Sequence, residues 1–452
     1  MKNAKLGYFD LSMIVVSLVI GMGIFRTPVN VAQGAIEPSV YFAAWIFGGI
    51  MALCGALTFA EIGSRLPVSG GYFRIFAKCY HPSFAFMLNG TILVSNAASV
   101  AGVALIGAEY ICGVIFHDNP AANTETVRLT IACSEIILFL GLNLLGLKTS
   151  ATTQSILTVF KLTVVLILIS AIFMPSETPV AAATVAGSSH SWMDYLKSFG
   201  ICLIPISFTY GGYQQTINFG GEINNAKKIL PKGIITGILI VLVLYITINY
   251  AYIKVIGFNE LKTADSIASI MATRVLGDLG SKILTLMLFF SVLAYVNVGL
   301  MSNPRVICAM SEDGTMPAFF SRYSKRFGVP VTALITFTAM AIAILFFAKT
   351  FNELVNYVIF IDAIGFIAAA ATIFILRKKH SDANNESYSI ARASAVAIGV
   401  PLLFIIAYTF VAVSVVIDKP IAAVYGTVIF AAFLPLYFLF LYISRSSKPK
   451  PD

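Results

Sequence analysis

Gly21-Met22-Gly23-Ile24-Phe25, followed by Pro28, interrupts an apolar run that extends from about residue 8 to residue 34. A second interruption, Pro205 followed by Phe208-Thr209-Tyr210-Gly211-Gly212-Tyr213, falls inside the run 195–222. Relative to alanine, glycine costs a helix about 1 kcal/mol per residue and proline about 3 kcal/mol. Each run is therefore expected to be a helix broken near its middle, at Gly21–Gly23 and at about Tyr210–Gly212.

Outward from these breaks the chain stays apolar. Its 452 residues are 58% hydrophobic and 11% charged, with a mean hydropathy of +0.88. Soluble domains carry roughly a quarter charged residues, so this chain is solvated by lipid. Crossing a bilayer takes about 20 apolar residues as a helix, because every backbone polar group must be satisfied internally. Twelve such runs are expected, at 8–34, 39–64, 84–116, 127–147, 151–174, 195–222, 231–256, 279–310, 331–349, 353–376, 393–416 and 420–444. The alternating pattern of an outer-membrane barrel is absent. The fold class is an all-α integral membrane protein.

With the N-terminus inside, 20 of the 30 Lys and Arg residues fall in cytoplasmic segments. That excess sets both termini in the cytoplasm. The same placement, in short loops between apolar runs, argues against nucleic acid as the partner of the +9 charge. The six cysteines form no CxxC pair, and no metal or cofactor motif is present. Gly21-x-Gly23 lacks the third glycine of a dinucleotide fingerprint.

The two breaks lie five spans apart, the pattern of an inverted repeat with discontinuous helices 1 and 6 at the midplane. Residues 8–174 then form the first five-helix repeat and 195–376 the second. Residues 393–444 add two helices, and 445–452 form a polar cytoplasmic tail expected to be disordered. Half-helix N-termini offer free N–H groups to a carboxylate, and C-terminal ends offer carbonyls to an ammonium. Such a pair of breaks suits a zwitterion. Either break alone also fits small residues placed for close helix packing. Their corresponding positions are what point to a binding site.

Four blocks carry a family resemblance. They are Gly21–Phe25, Gly55-Ala56-Leu57-Thr58-Phe59-Ala60-Glu61-Ile62-Gly63 with Pro67-Val68-Ser69-Gly70-Gly71-Tyr72, Phe208–Tyr213, and Arg305 with Glu312-Asp313-Gly314. With these the chain resembles the amino acid–polyamine–organocation superfamily, and within it the L-type amino acid transporters and their bacterial relatives. The resemblance implies a substrate site at Gly21, Met22, Gly23, Ile24, Phe208, Thr209, Tyr210 and Gly211, with Phe208 as gate. The chain departs from the family pattern at Met22, where a small hydroxyl residue is usual, and at Tyr213, usually tryptophan. Human L-type carriers join a glycoprotein heavy chain through a cysteine in the loop after span 3. The corresponding segment 117–126 has none, so no such partner is expected.

Lys161 lies too deep in span 5 for its stem to reach an interface. A central lysine costs about 2.5–3.5 kcal/mol even on the lenient insertion scale. By resemblance it occupies the sodium position of related carriers, bridging helix 1 carbonyls to helix 8, with Ser291 and Asn297 as its partners there. A structural ion pair and a proton-carrying neutral amine remain open. Arg26 and Glu109 are expected together in the outer half, as a salt bridge or as vestibule residues.

No HExxH, GxSxG or CxxC motif supports an enzyme. A channel or receptor leaves the paired breaks unexplained. The expectation is sodium-independent exchange of L-amino acids in the plasma membrane. Neutral cargo is favoured, because cation carriers of the superfamily tend to place an acid in the helix 6 break and Gly211-Gly212 supplies none. Proton-coupled symport and polyamine or organic-cation transport are the alternatives.

Overall fold

The computed structural model describes residues 5–21, 23–116, 123–173, 190–264, 267–324, 326–347, 351–379 and 394–446. Met22 and residues 447–452 of the expected tail lie outside them. Among the described residues the only β pairing is two isolated bridges, Leu6 with Ile223 and Ser69 with Phe219. Ten helices among the described residues are long and apolar enough to cross a membrane, and Val331–Phe347 is apolar but shorter.

The first broken run appears as α1 (Tyr8–Val19) and α2 (Gly23–Gly34). There follow α3 (Pro38–Arg65), a short α4 (Gly71–Cys79), α5 (Pro82–Ile115), α6 (Glu125–Leu144) and α7 (Leu147–Ser170). The second broken run opens with α8 (Trp192–Thr209). Then come α9 (Ala226–Val255), a single turn α10 (Phe258–Leu261), α11 (Ile267–Glu312), α12 (Val331–Phe347), α13 (Phe351–Lys379), α14 (Ser394–Asp418) and α15 (Pro420–Ser446). Proline at the first turn starts α3 and α5, where its missing N–H costs no bond. The left-handed Gly277 kinks α11.

The span 195–222 needs correction in its second half. The α-helix stops at Thr209, and the chain continues as two 3₁₀ segments, Tyr213–Asn218 and Gly220–Glu222. Close packing explains the change. A Cβ on Gly220 would lie 2.7 Å from the Val68 nitrogen, so this stretch is pressed against the Pro67–Gly71 loop. The loop has its own glycine requirement. Gly70 is left-handed (φ 63), and a Cβ there would lie 2.5 Å from the Arg305 carbonyl. Two further corrections concern lengths. Arg445 and Ser446, expected in the tail, are the last residues of α15. The helix α4 was hidden in a loop because nine residues are too few to register as a span.

α5 and α11 pack along each other, and α11 also lies against α7. α1 is wedged between α9 and α7, while α2 runs on α8. α13 touches α5, α14 and α15. Large apolar side chains such as Leu138, Val159, Val243, Ile406 and Val428 are exposed around the outside. Contiguous apolar surface of that kind is stable only against lipid. The chain is an all-helical, multi-pass membrane protein. One end of the bundle is tied by ions. Glu61, whose side chain is fully buried, takes Arg377 through both carboxylate oxygens (2.8 and 2.7 Å) and also Arg65 (2.9 Å). Arg305 holds Glu222 in the same two-pronged way, at 2.9 and 2.6 Å.

Candidate functional site

The two breaks meet. α1 loses its helical course at Ile20, whose ψ of 78° turns the chain away. α8 ends at Thr209, and Gly212 adopts φ +109°, a conformation L side chains rarely take. A Cβ on Gly212 would sit 2.3 Å from the Leu18 carbonyl oxygen, so one broken backbone rests directly on the other. Gly23 also packs tightly on Thr209, with a Cβ there falling 2.8 Å from the threonine hydroxyl. That hydroxyl donates to the Pro205 carbonyl (2.9 Å) and lies 2.8 Å from Thr27 Oγ1. Tyr245 of α9 stands between the breaks, its hydroxyl 3.0 Å from the Val19 carbonyl and 3.3 Å from the Thr209 carbonyl.

Beside this junction opens a cavity of about 670 Å³, including its solvent-open part. Gly21, Gly23, Phe208, Thr209 and Gly211 line it. Ile24 and Tyr210 are buried but are not among its lining residues. Tyr210 instead packs between Trp45 and Tyr245, with ring centroids at 5.9 and 5.0 Å, and donates to the Trp45 carbonyl at 3.3 Å. Met22 lies outside the described residues.

Lys161 is fully buried on α7. Its Nζ donates to the Ile20 carbonyl, to the Ser17 hydroxyl (3.2 Å) and to the Ser17 carbonyl (3.4 Å). Three acceptors match the three N–H bonds of an ammonium. All three belong to the end of α1 and its cap. The expected bridge to α11 is not made. Ser291 is buried on α11 without a hydrogen bond to Lys161 among the described residues. Asn297 spends its amide elsewhere, donating to the Ser150 carbonyl (3.2 Å) and Gln154 Oε1 (2.8 Å) and accepting from Asn143 (2.9 Å). It locks α11 to α6 and α7. The carbonyls freed by the α1 break satisfy the lysine first. Arg26 and Glu109 form a half-exposed salt bridge at 3.0 Å.

Several cavity residues were not anticipated. Asp362 of α13 lines the wall, accepting from the Ser95 hydroxyl at 3.2 and 3.4 Å. An acid inside an apolar span is as costly as Lys161 and marks function by the same reasoning. Applied to the run 353–376, that reasoning finds it. Gln215 and Asn96 also line the cavity, joined at 3.1 Å, and Asn96 donates onward to Asn303 at 2.6 Å. Tyr295 covers Gly21. Gln215 follows the second break directly, whereas Asn96, Tyr295 and Asp362 arrive from α5, α11 and α13, where no local sequence pattern ties them to the breaks.

A family model described as amino acid permease matches residues 6–443. The chain is 27% identical over 431 residues to the serine/threonine exchanger SteT of Bacillus subtilis, covering 94% of each chain. It is 26% identical to the human cystine/glutamate transporter, covering 95% of this chain and 83% of that one. It is 24% identical to the human large neutral amino acids transporter small subunit 2, covering 99% and 82%. These relatives are transporters, not enzymes. Two broken helices around a buried cavity, in a chain matched almost end to end, place the protein among them: it belongs to the amino acid permease family.

Proposed function

We propose that this chain exchanges L-amino acids across the cell membrane by alternating access, without sodium. The observation that carries this reading is the junction of the two breaks on one cavity. There α2 begins at Gly23 with N–H groups that have no partner within the helix. The ends of α1 and α8 offer carbonyls. A zwitterion fits that pair of ends, its carboxylate at the N–H groups and its ammonium at the carbonyls. Phe208 covers the cavity from the α8 side and serves as its gate.

The wider architecture follows the same reading. The chain crosses the membrane twelve times, with 8–174 and 195–376 as inverted repeats and both termini cytoplasmic. Lys161 stands in the cation position and fixes the end of α1, which is why no sodium is needed. The segment 117–126 without cysteine supports action without a disulfide-linked heavy chain. The acid-free Gly211-Gly212 break favours neutral cargo at that wall, whereas the Asp362 wall carries the opposite bias.

The test is uptake of radiolabelled amino acids into proteoliposomes. Uptake is expected to require amino acid inside, and to be equal in sodium and choline buffers. Stereochemically indifferent leak without internal amino acid would overturn the reading in favour of a channel.

A further inference from the structure

The cavity carries an unbalanced charge. Among its described lining residues Asp362 is the one with a formal charge, and among the described residues Ser95 alone donates a hydrogen bond to it. Buried carboxylates in a membrane are costly unless a positive group joins them. The two cations close to the α1–α2 break are already engaged. Lys161 is spent on α1 carbonyls and Arg26 on Glu109, and neither lines the cavity.

A second, independent observation points the same way. Gln215 lines the cavity at only 7% exposure, and its Oε1 has no hydrogen-bond partner. The amide cannot rotate to cure this without loss, because its Nε2 donates to Asn96 Oδ1 at 3.1 Å. Gln214, by contrast, has its Oε1 engaged, accepting from the Gly212 N–H at 2.8 Å. The cavity therefore holds a carboxylate with no cation beside it, and its lining includes a buried amide oxygen with no donor. Donors and one positive charge must come with the cargo.

A zwitterion does not supply them. Its two charges cancel, and on the reading proposed above both are taken up by the half-helix ends. With a zwitterion bound, the cavity still holds the net charge of Asp362. An amino acid whose side chain ends in a cation brings that charge to zero and carries two or more N–H donors to the unmet acceptors. Tyr295, Phe366 and Tyr408 line the same cavity. Aromatic faces accommodate both an alkyl stem and a cationic head.

We propose that Asp362 is the side-chain subsite of this carrier and selects L-amino acids ending in an ammonium or guanidinium. This rests on the breaks holding the backbone of the cargo.

The experiment uses the full chain in proteoliposomes and two probes that differ by one group, L-lysine and L-norleucine. In the wild type, lysine is expected to be preferred over norleucine by roughly 100-fold, the scale of a buried charge pair. Asp362→Asn is expected to lower that ratio by roughly the same factor. If the variant does not fold, the wild-type ratio alone, with L-arginine as a third probe, decides the matter. Equal affinity for lysine and norleucine in the wild type overturns the proposal. So does equal loss of both in the variant, which would make Asp362 the partner of the α-ammonium. Norleucine uptake driven by an imposed proton gradient, with lysine not preferred, also overturns it by giving the missing charge to a proton. The failure of amino acid transport itself looks different. In that case no amino acid of any class is exchanged or competes, whereas failure of the subsite alone leaves neutral amino acids exchanging.

Discussion

Replacing Lys161 with methionine separates the lysine's charge from its bulk. The side chain contributes hydrogen bonds to the Ile20 carbonyl and to both oxygens of Ser17. Leaving a buried acceptor unmade costs about 1–3 kcal/mol, and the Ile20 carbonyl, past the helix end, has no other donor among the described residues. Against this, removing a charge from the middle of a membrane helix recovers about 2.5–3.5 kcal/mol. Methionine also fills most of the lysine's volume, so the cavity penalty is small. The net change in stability is expected to stay within about 2 kcal/mol. Transport is expected to fall by at least ~100-fold, because the end of α1 is no longer held to α7 beside the cavity. Thermal unfolding in detergent reads the first quantity and proteoliposome exchange the second. The wild type supplies a control on the cation position. A sodium ion about 4 Å from the ammonium pays about 4 kcal/mol at an effective dielectric of 20, close to a thousandfold in affinity. Sodium is therefore expected to leave wild-type exchange unchanged. A methionine variant that exchanges normally, or a wild type that needs sodium, refutes the reasoning.

Gly212→Ala places a Cβ 2.3 Å from the Leu18 carbonyl at φ +109°. Strain of about 1–3 kcal/mol, plus separation of the two breaks, is expected to lower both thermal stability and exchange, and a monodisperse, active alanine variant would contradict the packing described. Gly211→Val meets only ordinary or slightly tight contacts, at 3.2 Å to the Phe208 carbonyl and 3.8 Å to Phe366, so its branches fill the cavity instead. Ligand-induced thermal stabilisation should vanish in that variant while its own melting temperature changes little. Glu61→Ala strands Arg65 and Arg377 and is expected to cost about 3–5 kcal/mol, read as loss of folded protein after extraction. Glu135→Gln removes a buried carboxyl whose two oxygens have no hydrogen bond among the described residues. Since no bond is broken, its yield and melting temperature should equal or exceed those of the wild type.

The broken helices were legible because their signal is local. Glycine and proline act on the residues beside them, and Gly21, Gly23 and Gly211 do line the cavity. Lys161 was legible by cost alone, and its contact with helix 1 carbonyls was implied by the family resemblance. Its partners on α11 were misplaced because Asn297 is claimed by Asn143, Ser150 and Gln154, a competition that spacing along one helix cannot express. The importance of Gly212 over Gly211 was equally hidden. Both are glycines in one break, and only the approach of Leu18 from a segment nearly two hundred residues away distinguishes them. Asp362 could have been found, since it is an acid in an apolar run, but its place on the same cavity as the breaks depends on tertiary packing.

The Tyr245 hydroxyl has one hydrogen and two claimants, the carbonyls of Val19 and Thr209. It can commit to either and release the other by a small rotation of its C–O bond. The strength of this fastening is therefore capped near one net hydrogen bond, about 1 kcal/mol, comparable with thermal energy. When one half-helix swings, the proton can follow it or stay behind, and neither choice leaves the hydroxyl itself unbonded. On the alternating-access reading proposed above, α9 is thus fastened to both breaks by a bond too weak to resist movement of either.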